Sequence, residues 1–374
     1  MVSKFDLTYV TVDSVSEGVG SSQILPLLRG ISQEGLSVNL ISFEKNRPTT
    51  DLEYQVKSLG IHWSIHEFKN FGAVSGLSRF REIMNSIPET QVIHSRSDIP
   101  AAASILSKRA PILWDVRSLW PDQRLFMETS SIKKVLLKST RAIESFASYG
   151  ASAMSTLTAA VVPILEARHL RIPSIRTVVP TSVDLNAFRL TNTFPKNILA
   201  LFSGTYNNYY DLDLSREFIE EFRKVTSVEV HWARPKESFR QILAAGEDHI
   251  FEVTQPEIGK LLQMYSFGIS ICKLNAGPSL AAAMPTKVAE FLACGRPVVI
   301  NSGLGDLDQF VREFDAGVVL DGTSGDVKVK VEALLKLLSD PETPNRCRAL
   351  AEKYFDMEKG IRKYLTVYQQ IKKY

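Results

Sequence analysis

The chain has 374 residues, 44% of them hydrophobic and 23% charged, and a net charge of +3. That length is more than one core normally serves, so two domains are expected. A charge this mild gives no argument for a nucleic-acid partner. No run reaches the ~18 apolar residues of a membrane-crossing helix. The three cysteines, Cys272, Cys294 and Cys347, lack the spacing of a disulfide framework or zinc site, so no metal is expected. The N-terminus enters a strand pattern directly, without the apolar stretch of a signal peptide, and a cytoplasmic protein is expected.

The first strand is predicted at residues 5–12, followed by a polar loop holding Gly18 and Gly20. A helix over 23–34 and a strand over 37–43 complete a βαβ start, with the glycine loop at the strand end where α/β sheets place ligands. The Gly18-x-Gly20 pair, with Glu44 closing the second strand, partly matches a dinucleotide fingerprint. Gln23 stands where its third small residue belongs.

Helices are expected at 52–59, 77–87 and 100–109, and strands at 62–68, 91–94 and 111–116. His94 ends one of these strands and reads either as a structural histidine or as a site residue. Another strand end carries Trp114, Asp115, Arg117 and Trp120. Two tryptophans around an Asp/Arg pair suit sugar stacking and recognition of hydroxyl or phosphate groups. The alternative is a capping ion pair. Residues 131–149 read as one amphipathic helix bearing Lys133, Lys134, Lys138 and Arg141. That face is either solvated or rests on anionic lipid headgroups. Short strands at 152–157 and 177–180 flank a helix, and a polar linker at 191–196 sets the domain boundary near residue 190.

The second half repeats the plan, with a strand at 198–202 and a turn through Ser203, Gly204 and Thr205. Strands at 229–233 and 317–320 and helices at 238–245, 255–266, 306–314 and 327–338 are expected. Lys273 ends a strand over 268–272, and residues 357–374 form a basic terminal helix. The most informative stretch is GPSLAAAMPTKVAEFLACGRPVVI, residues 277–300. Pro285 suits a first helical turn, where its missing N–H costs nothing. Val288, Ala289, Phe291 and Leu292 give an apolar stripe, and Gly295 reads as the glycine past the helix end. Thr286 then lies where free N–H groups and the helix dipole favour an anion. Glu290 follows one turn, about 6 Å, along the same face. A phosphate at the helix start and a diol on the carboxylate fit one ligand. The bland alternative makes Lys287 and Glu290 a surface i,i+3 pair.

PTKVAEFLACGRPVV resembles the donor-site signature of family 4 retaining glycosyltransferases of bacterial surface-polysaccharide type. The resemblance implies a GT-B-like α/β fold, two doubly wound Rossmann-like domains facing a central cleft. Residues 1–190 would form the acceptor side, with helix 357–374 packing back on it, and 191–356 the donor domain. It further implies that Glu290 binds the nucleotide ribose and that amides at the start of the helix hold the diphosphate, beside Ser279, Pro285, Thr286 and Lys287. Gly18, Gly20, Gly204 and Thr205 match the family's glycine loops in position. The family's second glutamate is replaced by Ala282, and its Arg/Lys pair after the Gly204 turn is missing, which leaves Lys273, Lys287 and Arg117 as cations. DVRSLWPD resembles an Asp-x-Arg variant of the strand end where the family has a sugar-contacting histidine, so Asp115 and Arg117 would face the acceptor or transferred sugar, and His94, at its own strand end, would join them. Residues 178–188 resemble the segment that closes the first domain.

The implied reaction is metal-independent transfer, with retention, from a UDP- or GDP-type sugar donor to a glycan or lipid-linked glycan, with no further cofactor. The chain would work in the cytoplasm or peripherally at the inner membrane surface, with no nucleic-acid partner. Two alternatives are an inactive sugar-nucleotide-binding protein of the same fold and a nicotinamide-dependent oxidoreductase.

Overall fold

The computed structural model describes residues 4–18, 20–69, 72–204, 207–233, 249–252, 255–323 and 325–372. The chain forms two compact units, one of residues up to Val179 together with those from Met357, the other Pro180–Asp356.

In the first unit the strands are β1 (Phe5–Val10), β2 (Val38–Glu44), β3 (Ile61–Glu67), β4 (Thr90–Arg96), β5 (Ile112–Val116), β6 (Ala153–Thr156) and β7 (Ile175–Val178). The helices between them are α1 (Leu25–Gln33), α2 (Thr50–Ser58), α3 (Ala73–Ser86), α4 (Asp98–Ser107), α5 (Trp120–Met127), α6 (Ser131–Ser139), α7 (Arg141–Gly150) and α8 (Val162–Arg168). All seven strands run parallel in the order β3-β2-β1-β4-β5-β6-β7. Every residue of β2 is buried, as expected for a strand covered on both faces.

The second unit holds β8 (Leu199–Ser203), α9 (Leu212–Val225), β9 (Glu229–Ala233), β10 (His249–Phe251), α10 (Gln255–Leu262) and β11 (Phe267–Ser270). It continues with α11 (Thr286–Ala293), β12 (Val298–Asn301), α12 (Leu307–Glu313), β13 (Gly317–Leu320), α13 (Asp326–Ser339) and α14 (Thr343–Tyr354). Its parallel sheet runs β10-β9-β8-β11-β12-β13, the same doubly wound order as the first. The last helix, α15 (Met357–Ile371), belongs to the first unit. It buries Met357, Ile361, Tyr364, Val367, Tyr368 and Ile371 in that unit's core. Gly30 on α1 is where it docks, since a Cβ there would stand 2.2 Å from Cδ1 of Ile361.

Several expectations shift. Residues 131–149 form two helices because the Thr140 hydroxyl donates to the Leu137 carbonyl, which closes α6. Pro285 is the residue before α11, in extended conformation, and not part of its first turn. The expected helix at 238–245 lies outside the described residues. The crossing between units falls at Val179–Pro180 and not near residue 190. Residues past it are tied to the second unit: the Val183 N–H donates to the Phe355 carbonyl at 2.7 Å, Thr181 Oγ1 to Met284 at 2.7 Å, and Arg348 to Phe188 at 2.8 Å. No helix among the described residues is long and apolar enough to cross a membrane.

Candidate functional site

In each unit the strand order reverses beside the first strand, between β1 and β4 and between β8 and β11. Such switch points open a crevice at the carboxyl ends of the strands. In the second unit this edge gathers the Gly204 turn, the loop from Lys273, and α11. Gly204 sits at φ +84°, a conformation that favours glycine. A Cβ on it would lie 3.7 Å from the Lys287 ammonium, an ordinary contact, so it is the backbone conformation that calls for glycine here. Thr205 lies outside the described residues. Beyond β11 the chain makes a short 3-10 turn, Gly277–Ala282, before α11.

Helix α11 is buried nearly throughout. Phe291 packs where Gly268 on β11 lacks a side chain, since a Cβ there would meet the ring at 2.2 Å. This contact fixes the helix against the sheet and sets the direction of its polar residues. Thr286 and Lys287 are its first two residues, whose N–H groups have no carbonyl within the helix to bond. Glu290 stands one turn on, only 6% exposed. Among the described residues no hydrogen bond or ion pair reaches its carboxylate. Burial pushes the carboxyl up to about 7, and the Lys287 charge offsets part of that rise. The Lys287 ammonium lies 4.3 Å from the centre of the Tyr210 ring. The surface i,i+3 pair is therefore not what forms: both side chains are buried.

Other members of the expected set divide. Lys273 is half-buried on the loop after β11. The Ser279 hydroxyl donates to the Ala276 carbonyl at 2.8 Å and lies 3.2 Å from the Tyr209 hydroxyl, so it braces the 3-10 turn. Ala282 is buried and offers no polar group. Tyr210 was not anticipated. Its only trace in the sequence is the aromatic pair shortly after Gly204.

At the first unit's switch point Gly18 takes φ +55° in the loop after β1. Gly20 is required by packing, since a Cβ there would lie 2.0 Å from the Ser14 carbonyl oxygen. Glu44 accepts from Ser14, Ser16 and Ser42 hydroxyls and from the Val15 and Ser16 amides. This carboxylate is consumed in closing the loop, which removes the ribose contact of the dinucleotide reading.

His94, Asp115 and Arg117 do come together, but inside the unit. His94 is fully buried, with Nδ1 2.6 Å from the Tyr368 hydroxyl and Nε2 3.3 Å from Asp115 Oδ2. Asp115 accepts from Ser155 at 2.8 Å and from Tyr364 at 3.3 Å, and its Oδ2 lies 3.8 Å from Arg117 Nε. Burial lowers the affinity of His94 for a proton more than Asp115 raises it, which favours the neutral ring. Burial pushes the Asp115 carboxyl up, but Arg117, the His94 hydrogen bond and Arg96 together hold it well below the carboxylate range. His94 and Asp115 are thus enclosed within the unit, and Arg117, its side chain 12% exposed, is the member nearest solvent. Trp114 is core as well, with its indole N–H donating to Asp98 at 3.1 Å, which removes it as a stacking platform. Tyr364 and Tyr368, four apart on α15, complete this network and were not anticipated as site residues.

Residues 232–354 match the family model described as Glycosyl transferases group 1. No curated protein sequence matches the chain. Among solved structures it is similar to Anabaena HepE in complex with UDP and glucose, at 13% identity and TM-score 0.65, covering 99% of this chain and 98% of that one. Sucrose-phosphate synthase from Thermosynechococcus elongatus is similar at 11% identity and TM-score 0.70, with 98% of each chain covered. A glycosyltransferase from Rickettsia africae follows at 14% and 0.67, again with 98% of each covered. At these identities the likeness establishes the fold: two parallel-sheet Rossmann-like units in the GT-B arrangement of chain order.

Proposed function

We propose that this chain is a glycosyltransferase of family 4 type that moves a sugar from a nucleoside-diphosphate donor to a hydroxyl of a glycan or lipid-linked glycan. The observation that carries the reading is Glu290, a buried carboxyl with no bonding partner among the described residues, one turn behind the start of α11. Burying such a group costs several kcal/mol unless something bonds to it. A ribose diol bonds a carboxylate at both oxygens, and the amides at the start of α11 face the diphosphate. The group 1 match over this unit supports the same assignment, as does the UDP complex of a similar fold.

The residues then take the following roles. Lys287, aided by Lys273, stabilises the charge growing on the departing diphosphate. In the first unit the glycine loop after β1 and Arg117 serve the acceptor side. Asp115, His94, Tyr364 and Tyr368 hold Arg117 in place and touch no substrate. The chemistry proceeds with retention and without a metal, through departure and attack on the same face of the sugar. No enzymic nucleophile is assigned. Helix α6 exposes Ile132 and Val135 beside Lys133 and Lys138, a face suited to anionic membrane. Co-sedimentation with anionic but not neutral vesicles checks that contact, and equal recovery with both removes it.

Thermal-shift titration with UDP, GDP, their sugars and NAD tests the donor site. A response to UDP or GDP that Glu290→Ala abolishes supports it, and a response to NAD alone refutes it. Ala282, in place of the family's sugar-contacting glutamate, favours a second reading, a sugar-nucleotide binder without turnover. Product analysis with radiolabelled donor separates the two.

A further inference from the structure

The second sheet carries another cluster of ligating groups, away from the site just described. Glu229 and His231 are two apart on β9 and so point to one face. Strand pairing sets His249 of β10 directly opposite His231. His231 Nε2 lies 2.7 Å and His249 Nε2 3.4 Å from the same Glu229 oxygen. One ligand atom from each residue falls within 4.8 Å of the other two. The second ring nitrogen of His231 is 2.7 Å from the hydroxyl of Tyr265, itself buried. An outer partner of this kind orients most metal-ligating imidazoles. Among the described residues no lysine or arginine pairs with Glu229, so its charge is left to the two rings.

We propose that Glu229, His231 and His249 bind one divalent transition ion of the zinc class, which fastens edge strand β10 to β9. Two imidazoles and a carboxylate suit zinc, copper or nickel, whereas calcium and magnesium take oxygen ligands. Metal–ligand lengths of about 2.0–2.2 Å put neighbouring ligand atoms about 3–3.5 Å apart. The His249–Glu229 contact already has that spacing, and the His231–Glu229 contact opens to it through a small side-chain rotation. His249 is 74% exposed, so an ion can enter and water can fill the open positions. The cluster sits towards the amino end of β9. Ala233, at its other end, pairs with Gly204 of the donor site. Four residues of strand separate Glu229 from Ala233 by about 13 Å, so the ion takes no part in sugar transfer. Cysteine spacing gave no hint of a metal, and the histidines, far apart in sequence, meet only through strand pairing.

Isothermal titration and thermal unfolding of the full chain with zinc chloride test the site, with magnesium as the comparison ion. The wild type and the control His66→Ala, a histidine on β3 of the first unit and outside the cluster, are expected to bind one zinc with a Kd of about 10 µM or tighter. Their melting temperatures should keep rising with zinc concentration, as mass action requires. His249→Ala and His231→Ala should each weaken binding at least about tenfold. His249→Ala changes an exposed side chain, and circular dichroism verifies that it folds. Absence of saturable zinc binding in the wild type, or a loss smaller than tenfold in His249→Ala, overturns the proposal.

Discussion

Glu290 makes an opposed prediction for binding and for stability. Its carboxyl is raised from 4.5 to about 7 by burial. Below pH 4.5 it is protonated whether the chain is folded or not, and contributes nothing. Between 4.5 and 7 the unfolded chain releases the proton while the folded chain keeps it, so stability falls as pH rises, and above 7 the loss is complete. At about 1.36 kcal/mol per pH unit the loss amounts to about 3 kcal/mol. The stability of Glu290→Gln relative to wild type should therefore grow by about that amount between pH 4 and pH 8, read by urea denaturation at each pH. Nucleotide binding should move the other way. The carboxylate form falls from about nine-tenths of molecules at pH 8 to about one-tenth at pH 6, so wild-type affinity for the nucleotide should weaken roughly tenfold. Glu290→Gln should bind weakly at both. Because the Lys287 charge lowers the Glu290 carboxyl, Lys287→Met should shift the midpoint above 7. A stability difference that stays flat with pH, together with unchanged nucleotide affinity in the glutamine variant, would refute the reasoning.

Three further perturbations test other parts of the structure. Lys273→Ala should lower turnover with modest change in donor affinity if this lysine meets charge that grows as the diphosphate leaves; unchanged turnover removes it from the site. Asp115→Ala leaves Arg117 without its buried counter-charge and should cost about 3–5 kcal/mol in denaturant unfolding, whereas a loss under about 1 kcal/mol would show the pair to be weak. Gly30→Ala sets two effects against each other. Helix propensity favours alanine by about 1 kcal/mol, but the added methyl meets Ile361 at 2.2 Å. Overpacking of that kind costs about 1–3 kcal/mol, so net destabilisation of the first unit is expected, and a net gain would mean that α15 is loosely docked.

Much of the fold was legible because its signals are local. Alternating apolar strands and helices follow from periodicity, and residues 229–233 and 317–320 take strand form within the expected bounds. The start of α11 at Thr286 and the placing of Glu290 one turn later needed only the pitch of a helix. Helices α5, α9 and α14 were not anticipated, although Ser215, Phe218, Ile219 and Phe222 have the spacing of a buried stripe and Asp211 caps α9 through its side chain.

Burial and partnership are different in kind, because they depend on residues distant in the chain. Sequence alone placed His94 and Asp115 at strand ends; only α15, arriving about 270 residues later with Tyr364 and Tyr368, decides that they are enclosed. The same holds for Glu44, which spacing offered to a ribose and the Ser14–Ser16 loop occupies. At Glu290 tertiary packing acts the opposite way. Pressing α11 onto Gly268 buries the carboxyl and raises its proton affinity. Sequence determined which chemical groups stand in order along the helix. The desolvation that raises the proton affinity of one of them is a property of the assembled sheet and helix, and no local pattern carries it.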